Sequence, residues 1–260
     1  MVEPRISSTF RRAPFHFLIW ALLGILDFFP ATPTTFAQTC GNVPYSFQTA
    51  LAGAQRGDAE YMAVLSEHYY CGIGVGQNPS EAFRWALAAA NKNATTAMAF
   101  VGYFYETGKG VARNDQTAGS WYLRAAQAGS AQGYNGLLRL YKAGRYHPQS
   151  KNEADYLALY VKAQQAFAAK QYSVSLPTLK RAAELGWSWA AHDVGIQYEF
   201  GDGVPASSQT ALQWYESCAK TGNQACSQSF KSLSQRIAAA APKKPCSYWD
   251  RNQFGTPACK

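Results

Sequence analysis

Charged side chains make up only 15 % of this 260-residue chain, and Lys and Arg exceed Asp and Glu by eight with no dense run outside Lys243-Lys244. That scatter excludes the clustered basic face a nucleic-acid binder needs and leaves loose attraction to anionic envelope polymers as what the charge can do. Long apolar runs are also missing: Phe15 to Phe29 is interrupted by Asp27 and is shorter than the roughly 20 residues an ordinary membrane span takes. Histidine is sparse, and His68, His147 and His192 share no common register. There is no H-E-x-x-H, G-x-S-x-G or P-loop motif, and no C-x2-C pair or Cys/His cluster of the kind that binds zinc. No catalytic residue, metal site or cofactor is therefore expected.

What is present begins with a leader. Arg11 and Arg12 precede the apolar stretch, Pro30 and Pro33 follow it, and Thr35-Phe36-Ala37 supplies small residues for a cut after Ala37. These are the three parts of a secretory signal peptide over residues 1–37, with an uncleaved membrane anchor as the competing reading. Removing it takes away three basic and two acidic residues, so the exported chain stays basic, one unit below +8. All six cysteines, Cys40, Cys71, Cys218, Cys226, Cys246 and Cys259, lie beyond the cut. An even number in an oxidising periplasmic or secreted setting implies disulfides, with about 15 connectivities open.

The chain also repeats itself. A shift of 36 residues superimposes Met62 on Met98, Tyr69 on Tyr105, Gly72 on Gly108, Gly74 on Gly110, Val75 on Val111, Asn78 on Asn114 and Trp85 on Trp121, with 12 identities in 36 positions. Chance gives roughly two or three at ordinary composition. A third unit keeps Gly129, Tyr141 and Gly144 and then loses the pattern at Tyr146, His147 and Pro148; a fourth, displaced by 93 residues from the second, runs through Gly195, Tyr198, Gly201, Gly203, Val204, Ala211 and Trp214.

Each unit reads as two helices joined by a glycine loop. In Gly72-x-Gly74-Val75 and its equivalents, glycine permits positive φ where the first helix ends, and Val fills the apolar gap behind it. Asn78, Asn114 and Ser207-Ser208 are N-cap candidates for the second helix. The loop-proximal tyrosines, with Trp85, Trp121 and Trp214, are expected in the core. Helices are predicted at 44–56, 58–71, 79–92, 94–107, 115–128, 130–143, 152–169, 172–185, 187–200, 208–220 and 223–240. The organisation is thus N-terminal units at 44–144, an irregular helical unit at 145–185, a regular unit plus terminal helix at 186–240, and a linker with a cysteine-bounded tail at 241–260.

The pattern A-x3-LG-x2-Y-x2-G-x-GV-x6-A-x2-W-x3-AA-x2-G resembles the Sel1-like repeat family, relatives of tetratricopeptide repeats, over residues 57–144 and 186–222. Residues 44–56 and 172–185 fit as half-units. The resemblance implies an all-α fold, a right-handed solenoid of antiparallel helix pairs whose concave groove binds a protein or peptide. Asn93 departs from it where Gly129 and Gly222 stand. Cys218 and Cys226 occupy small-residue slots that face each other across one interhelix turn, within the usual Cα separation of about 4.4–6.8 Å. The same eight-residue offset resembles the cysteine-rich exported members of the family. Antiparallel packing of the first two helices makes Cys40 a partner for Cys71, and elimination leaves Cys246 with Cys259.

Partner-facing candidates are Trp187 and Trp189, which the repeat does not require, together with His68 and Phe104. For the two tryptophans, packing against the irregular helix 152–169 is the competing reading. Catalysis has one motif to offer, Ser217-Cys218-Ala219-Lys220, an S-x-x-K of the type found in penicillin-interacting enzymes. It lacks the accompanying S-D-N and K-T-G, and about one accidental match is expected in a chain of this size. The expected function is a scaffold in the cell envelope; the alternative is an enzyme or binding protein acting on cell-wall material or β-lactams.

Overall fold

The computed structural model describes residues 40 and 43–240. The leader at 1–37, the linker at 241–245 and the Cys246/Cys259 pair lie outside the described residues. The chain divides into Met1–Asn42 and Val43–Lys260. In the first unit the description is confined to the short turn at Cys40.

In the second unit the regular structure of the described residues is all helical. It runs α1 (Phe47–Gln55), α2 (Ala59–Cys71), α3 (Pro79–Asn91), α4 (Thr95–Thr107), α5 (Asp115–Gln127), α6 (Ala131–Lys142), α7 (Lys151–Ala168), α8 (Tyr172–Glu184), α9 (Ser188–Phe200), α10 (Ser208–Ala219) and α11 (Gln224–Ala240). Successive helices pack on one another from α1 to α6 and again from α7 to α11, which is the α/α solenoid expected. None of the described helices is long and apolar enough to cross a membrane.

The caps are those the repeat predicts. Asn78, Asn114 and Ser207 accept from the backbone N–H groups of Glu81, Thr117 and Thr210 at 3.1, 2.9 and 3.2 Å, each satisfying one donor of the first turn. Gly72, Gly108 and Gly201 end α2, α4 and α9 in the left-handed region, with φ of 75°, 73° and 78°. Asn93 takes that conformation too, at φ 66°, standing in for the glycine of the other interhelix turns. One backbone bond recurs across each glycine loop: Asn78, Asn114 and Ser207 donate to the carbonyls of Tyr69, Tyr105 and Tyr198 at 2.8, 2.9 and 2.7 Å. The second loop glycine does more than turn. A Cβ on Gly110 would sit 2.1 Å from the carbonyl oxygen of Pro79, and one on Gly203 would sit 2.1 Å from Cβ of Tyr172, so only glycine lets these loops rest on the start of a neighbouring helix.

Two core assignments need correction. Trp85, Trp121 and Trp214 are half-buried rather than in the core. Arg84 covers Trp85 at 4.8 Å from the ring centroid and Arg124 covers Trp121 at 4.3 Å, a cation–π arrangement at the rim of the core. Tyr69, Tyr105, Tyr141 and Tyr198 are likewise half-buried. Tyr69 meets Phe47 edge-on at 5.6 Å, and one repeat later Tyr105 meets Phe83 edge-on at 5.3 Å.

The core instead contains Leu65, Val101, Leu137, Leu140, Tyr122 and Tyr215 beside a bed of buried alanines. Tyr122 lies against Gly102, and Tyr215 against Gly195, where an added Cβ would come within 2.6 and 2.4 Å of the rings. Each hydroxyl then donates to a carboxylate: Tyr122 to Glu106 at 2.8 Å and Tyr215 to Glu199 at 2.7 Å. Arg139 closes the first pair at 2.5 Å, and Arg236 bonds to Glu199 in the second. Burial is the largest cause, with the adjacent carboxylate adding to it, of the upward shift of both phenols.

Candidate functional site

The repeat pattern fails at residues 145–150, and the structure shows a docked turn there. Tyr146 is buried over Gly119, with no room for a Cβ between them, and donates to Glu153 at 2.5 Å. The other oxygen of Glu153 accepts from the backbone N–H of Gln149 at 2.9 Å. Gln116 of α5 and His147 exchange two bonds, side-chain amide to carbonyl at 2.7 Å and backbone N–H to side-chain oxygen at 3.0 Å. Arg145 forks onto Asp115 at 2.8 and 2.9 Å. Those bonds, and those from Arg113, hold the Asp115 carboxyl well below the usual range, at about 2.

Beyond this turn the C-terminal helices fold back onto the N-terminal ones, with α9 reaching α5 as well as its neighbours α8 and α10. Trp189 makes the join. Its indole N–H donates to the carbonyl of Ala126 in the last turn of α5 at 2.7 Å, a second donor to an oxygen that also accepts from the Gly129 N–H at 2.9 Å. Its ring stacks on Tyr134 of α6 at 4.6 Å and 28°. Trp187 stacks nearly parallel on Tyr156 of α7, at 5.1 Å and 8°, and meets Tyr160 edge-on at 5.9 Å. At the end of the same seam the backbone N–H of Gln224 donates to the Ala128 carbonyl at 3.2 Å, so the α10–α11 turn rests on the α5–α6 turn. Gly129 lies in that contact, where a Cβ would come within 2.6 Å of the Gln224 nitrogen.

The disulfide between Cys218 and Cys226 holds the α10–α11 turn, with the Cα atoms 5.7 Å apart. Within the turn, Asn223 is fully buried; its side chain donates to Ser188 at 2.9 Å and accepts from the Cys226 N–H at 3.2 Å. Cys40 and Cys71 are each disulfide-bonded as well.

The four partner-facing candidates are therefore placed inside the protein. Trp187 is 0 % exposed, Phe104 0 %, His68 1 % and Trp189 9 %. His68 Nδ1 bonds to the Ile73 carbonyl at 2.7 Å and the ring lies edge-on to Phe47, while Phe104 sits among Tyr70, Phe83 and Phe100. The expectation that these side chains present themselves to a partner is corrected: rings brought together by the fold-back bury Trp187 and Trp189, and packing within the N-terminal helix stack buries His68 and Phe104. Packing against the irregular helix, the competing reading, describes Trp187. In the S-x-x-K motif, Lys220 pairs with Glu216 at 2.9 Å and Ser217 is exposed.

A third feature, missed from sequence, adjoins the seam. Tyr160 donates to Asp193 Oδ2 at 2.6 Å, and the next residue back, His192, places Nε2 2.9 Å from the hydroxyl of Ser229 on α11. Adjacent His and Asp on one helix carry no spacing signal, and Ser229 is remote in sequence.

The Sel1 repeat family matches residues 59–93, 95–130 and 190–223, that is α2–α3, α4–α5 and α9–α10 with their turns. No curated protein matches the chain. Among solved structures, a protective antigen of uropathogenic Escherichia coli strains displaying an SLR fold is 22 % identical, with a TM-score of 0.42, over 73 % of this chain and 44 % of its own. The chain thus spans less than half the length of that antigen. A Sel1 repeat protein from Oxalobacter formigenes is 22 % identical over 74 % of each chain, with a TM-score of 0.36. A Sel1 repeat protein from Klebsiella pneumoniae is 17 % identical over 73 % of this chain and 100 % of its own, with a TM-score of 0.33. This chain thus carries three Sel1 repeats, seated on the helix pairs α2–α3, α4–α5 and α9–α10.

Proposed function

We propose that the chain is an exported scaffold of the cell envelope that holds a protein or peptide against its concave face, with loose attraction to anionic envelope polymers from its net positive charge. The observation that carries this reading is the set of Sel1 repeats, which are protein-interaction modules, on a stack of helix pairs. Bridged cysteines at all four described positions support an oxidising compartment.

With the tryptophans committed to the seam, partner contact falls to the half-buried tyrosines repeated before each loop, Tyr69, Tyr105, Tyr141 and Tyr198, which keep ring edges available. Such amphipathic rings supply contact area at low entropic cost. Cross-linked capture from envelope extracts, followed by titration of the recovered partner, tests this. Joint substitution Tyr105→Ala and Tyr141→Ala should weaken binding at least about tenfold with helicity unchanged. An unchanged affinity removes the tyrosine row, and the absence of any saturable partner removes the scaffold reading. Export is checked by N-terminal sequencing of protein from the envelope fraction, which should begin at Gln38.

A further inference from the structure

We propose that Ser229 is a nucleophile activated by His192, with Asp193 as positioning residue, and that it accepts the acyl group of small activated esters. The three side chains come from two helices, α9 and α11, joined by the His192–Ser229 and Glu199–Arg236 hydrogen bonds. His192 Nε2 is 2.9 Å from Ser229 Oγ, within the reach of a base for its nucleophile. On the far side of the ring, Nδ1 is buried with no hydrogen-bond partner of its own and lies 3.8 Å from Asp193 Oδ1. Asp193 does not drift, because Tyr160 of α7 holds its second oxygen at 2.6 Å.

The tautomer with its proton on Nδ1, facing the carboxylate, leaves Nε2 free to accept the serine proton. The imidazole is flanked by Trp189 at 5.6 Å and Tyr215 at 5.5 Å, between ring centroids, and these apolar walls limit the acyl donor to a small group. His192 and Asp193 keep 13 % and 22 % of their side-chain surface exposed, and Ser229 is half-exposed, so the cluster is open to solutes.

The reaction is ordinary acyl transfer. Ser229 Oγ adds to the ester carbonyl while its proton passes to His192 Nε2. The bond from the carbonyl carbon to the leaving oxygen then breaks as that oxygen takes the proton back from Nε2, giving the acyl-serine and an alcohol. Water, deprotonated by the same nitrogen, releases the carboxylic acid and restores the serine.

The test is stoichiometric labelling of the full chain by an alkyl fluorophosphonate, with the adduct located by peptide fragmentation and melting curves recorded for every variant. The expected result is an adduct on Ser229 that is slowed about 100-fold or more by His192→Gln, a typical loss when a general base is removed. Asp193→Asn should slow it, and Asp193→Glu should recover much of the rate, a rescue that a merely structural role would not produce. Wild-type protein that labels no faster than heat-unfolded protein overturns the proposal whatever the variants do. So does an adduct on Ser217 or Ser227 instead, or a folded His192→Gln protein labelled at the wild-type rate. Equal rates for Asp193→Asn and Asp193→Glu overturn the role given to Asp193.

Discussion

Trp189 shows what a single side chain does here. It spans three elements at once, from α9 to the Ala126 carbonyl of α5 and the Tyr134 ring of α6, so truncating it removes a stack and one of the two donors to a buried carbonyl. Trp189→Ala should lower unfolding free energy by about 3–5 kcal/mol in urea titrations, the usual cost of deleting a packed Trp. A change below about 1 kcal/mol would mean that the ring serves a surface. Gly102→Ala tests the opposite fault. The new methyl would press into the Tyr122 ring that donates to Glu106, and overpacking of this kind should cost about 1–3 kcal/mol by the same titration.

At the scale of elements, the helices and their loops were legible because each is decided locally: a 36-residue period, N-cap side chains and glycines where φ must be positive. The seam was not, because its contacts join residues far apart in sequence. Tyr146, His147 and Pro148 read only as loss of pattern, whereas the fold uses Tyr146 as a plug for the gap at Gly119 and ties it to Glu153. One signal was available: Gly102, Glu106 and Tyr122 recur 93 residues on as Gly195, Glu199 and Tyr215 and form the same buried unit.

The docked turn also predicts an acid response. Asp115 titrates at about 2 in the folded chain against 3.8 as its ordinary value, so its bond to Arg145 stabilises the fold above about pH 4. That contribution is lost as pH falls from 4 through 2. Arg145→Ala removes the largest cause of the shift and should move the onset of acid unfolding, followed by circular dichroism, to higher pH. An unchanged acid limb would show that the turn is not held by this pair.

For the whole molecule, the irregular unit works as a corner. By interrupting the stack after α6 it lets α9 return to α5, and the bridged α10–α11 turn rests on the α5–α6 turn, so two runs of helix pairs close into one body. Opening the bridge by Cys218→Ala with Cys226→Ala should cost about 2–4 kcal/mol, read from denaturant midpoints. If the chain is exported as proposed, its intact mass should lie six hydrogens below the fully reduced form, as three bridges among six cysteines require. Any free thiol on protein recovered from the envelope fraction would contradict that count.

Helices α1 to α11 form a single scaffold locked at this seam. Native-state hydrogen exchange resolved by peptide tests it most directly. Helices α5, α6, α7 and α9 should open together at the global unfolding free energy, and Trp189→Ala should lower all four by the same amount. Exchange of α7–α11 at a separate, lower free energy, with α2–α5 unaffected by Trp189→Ala, would contradict it.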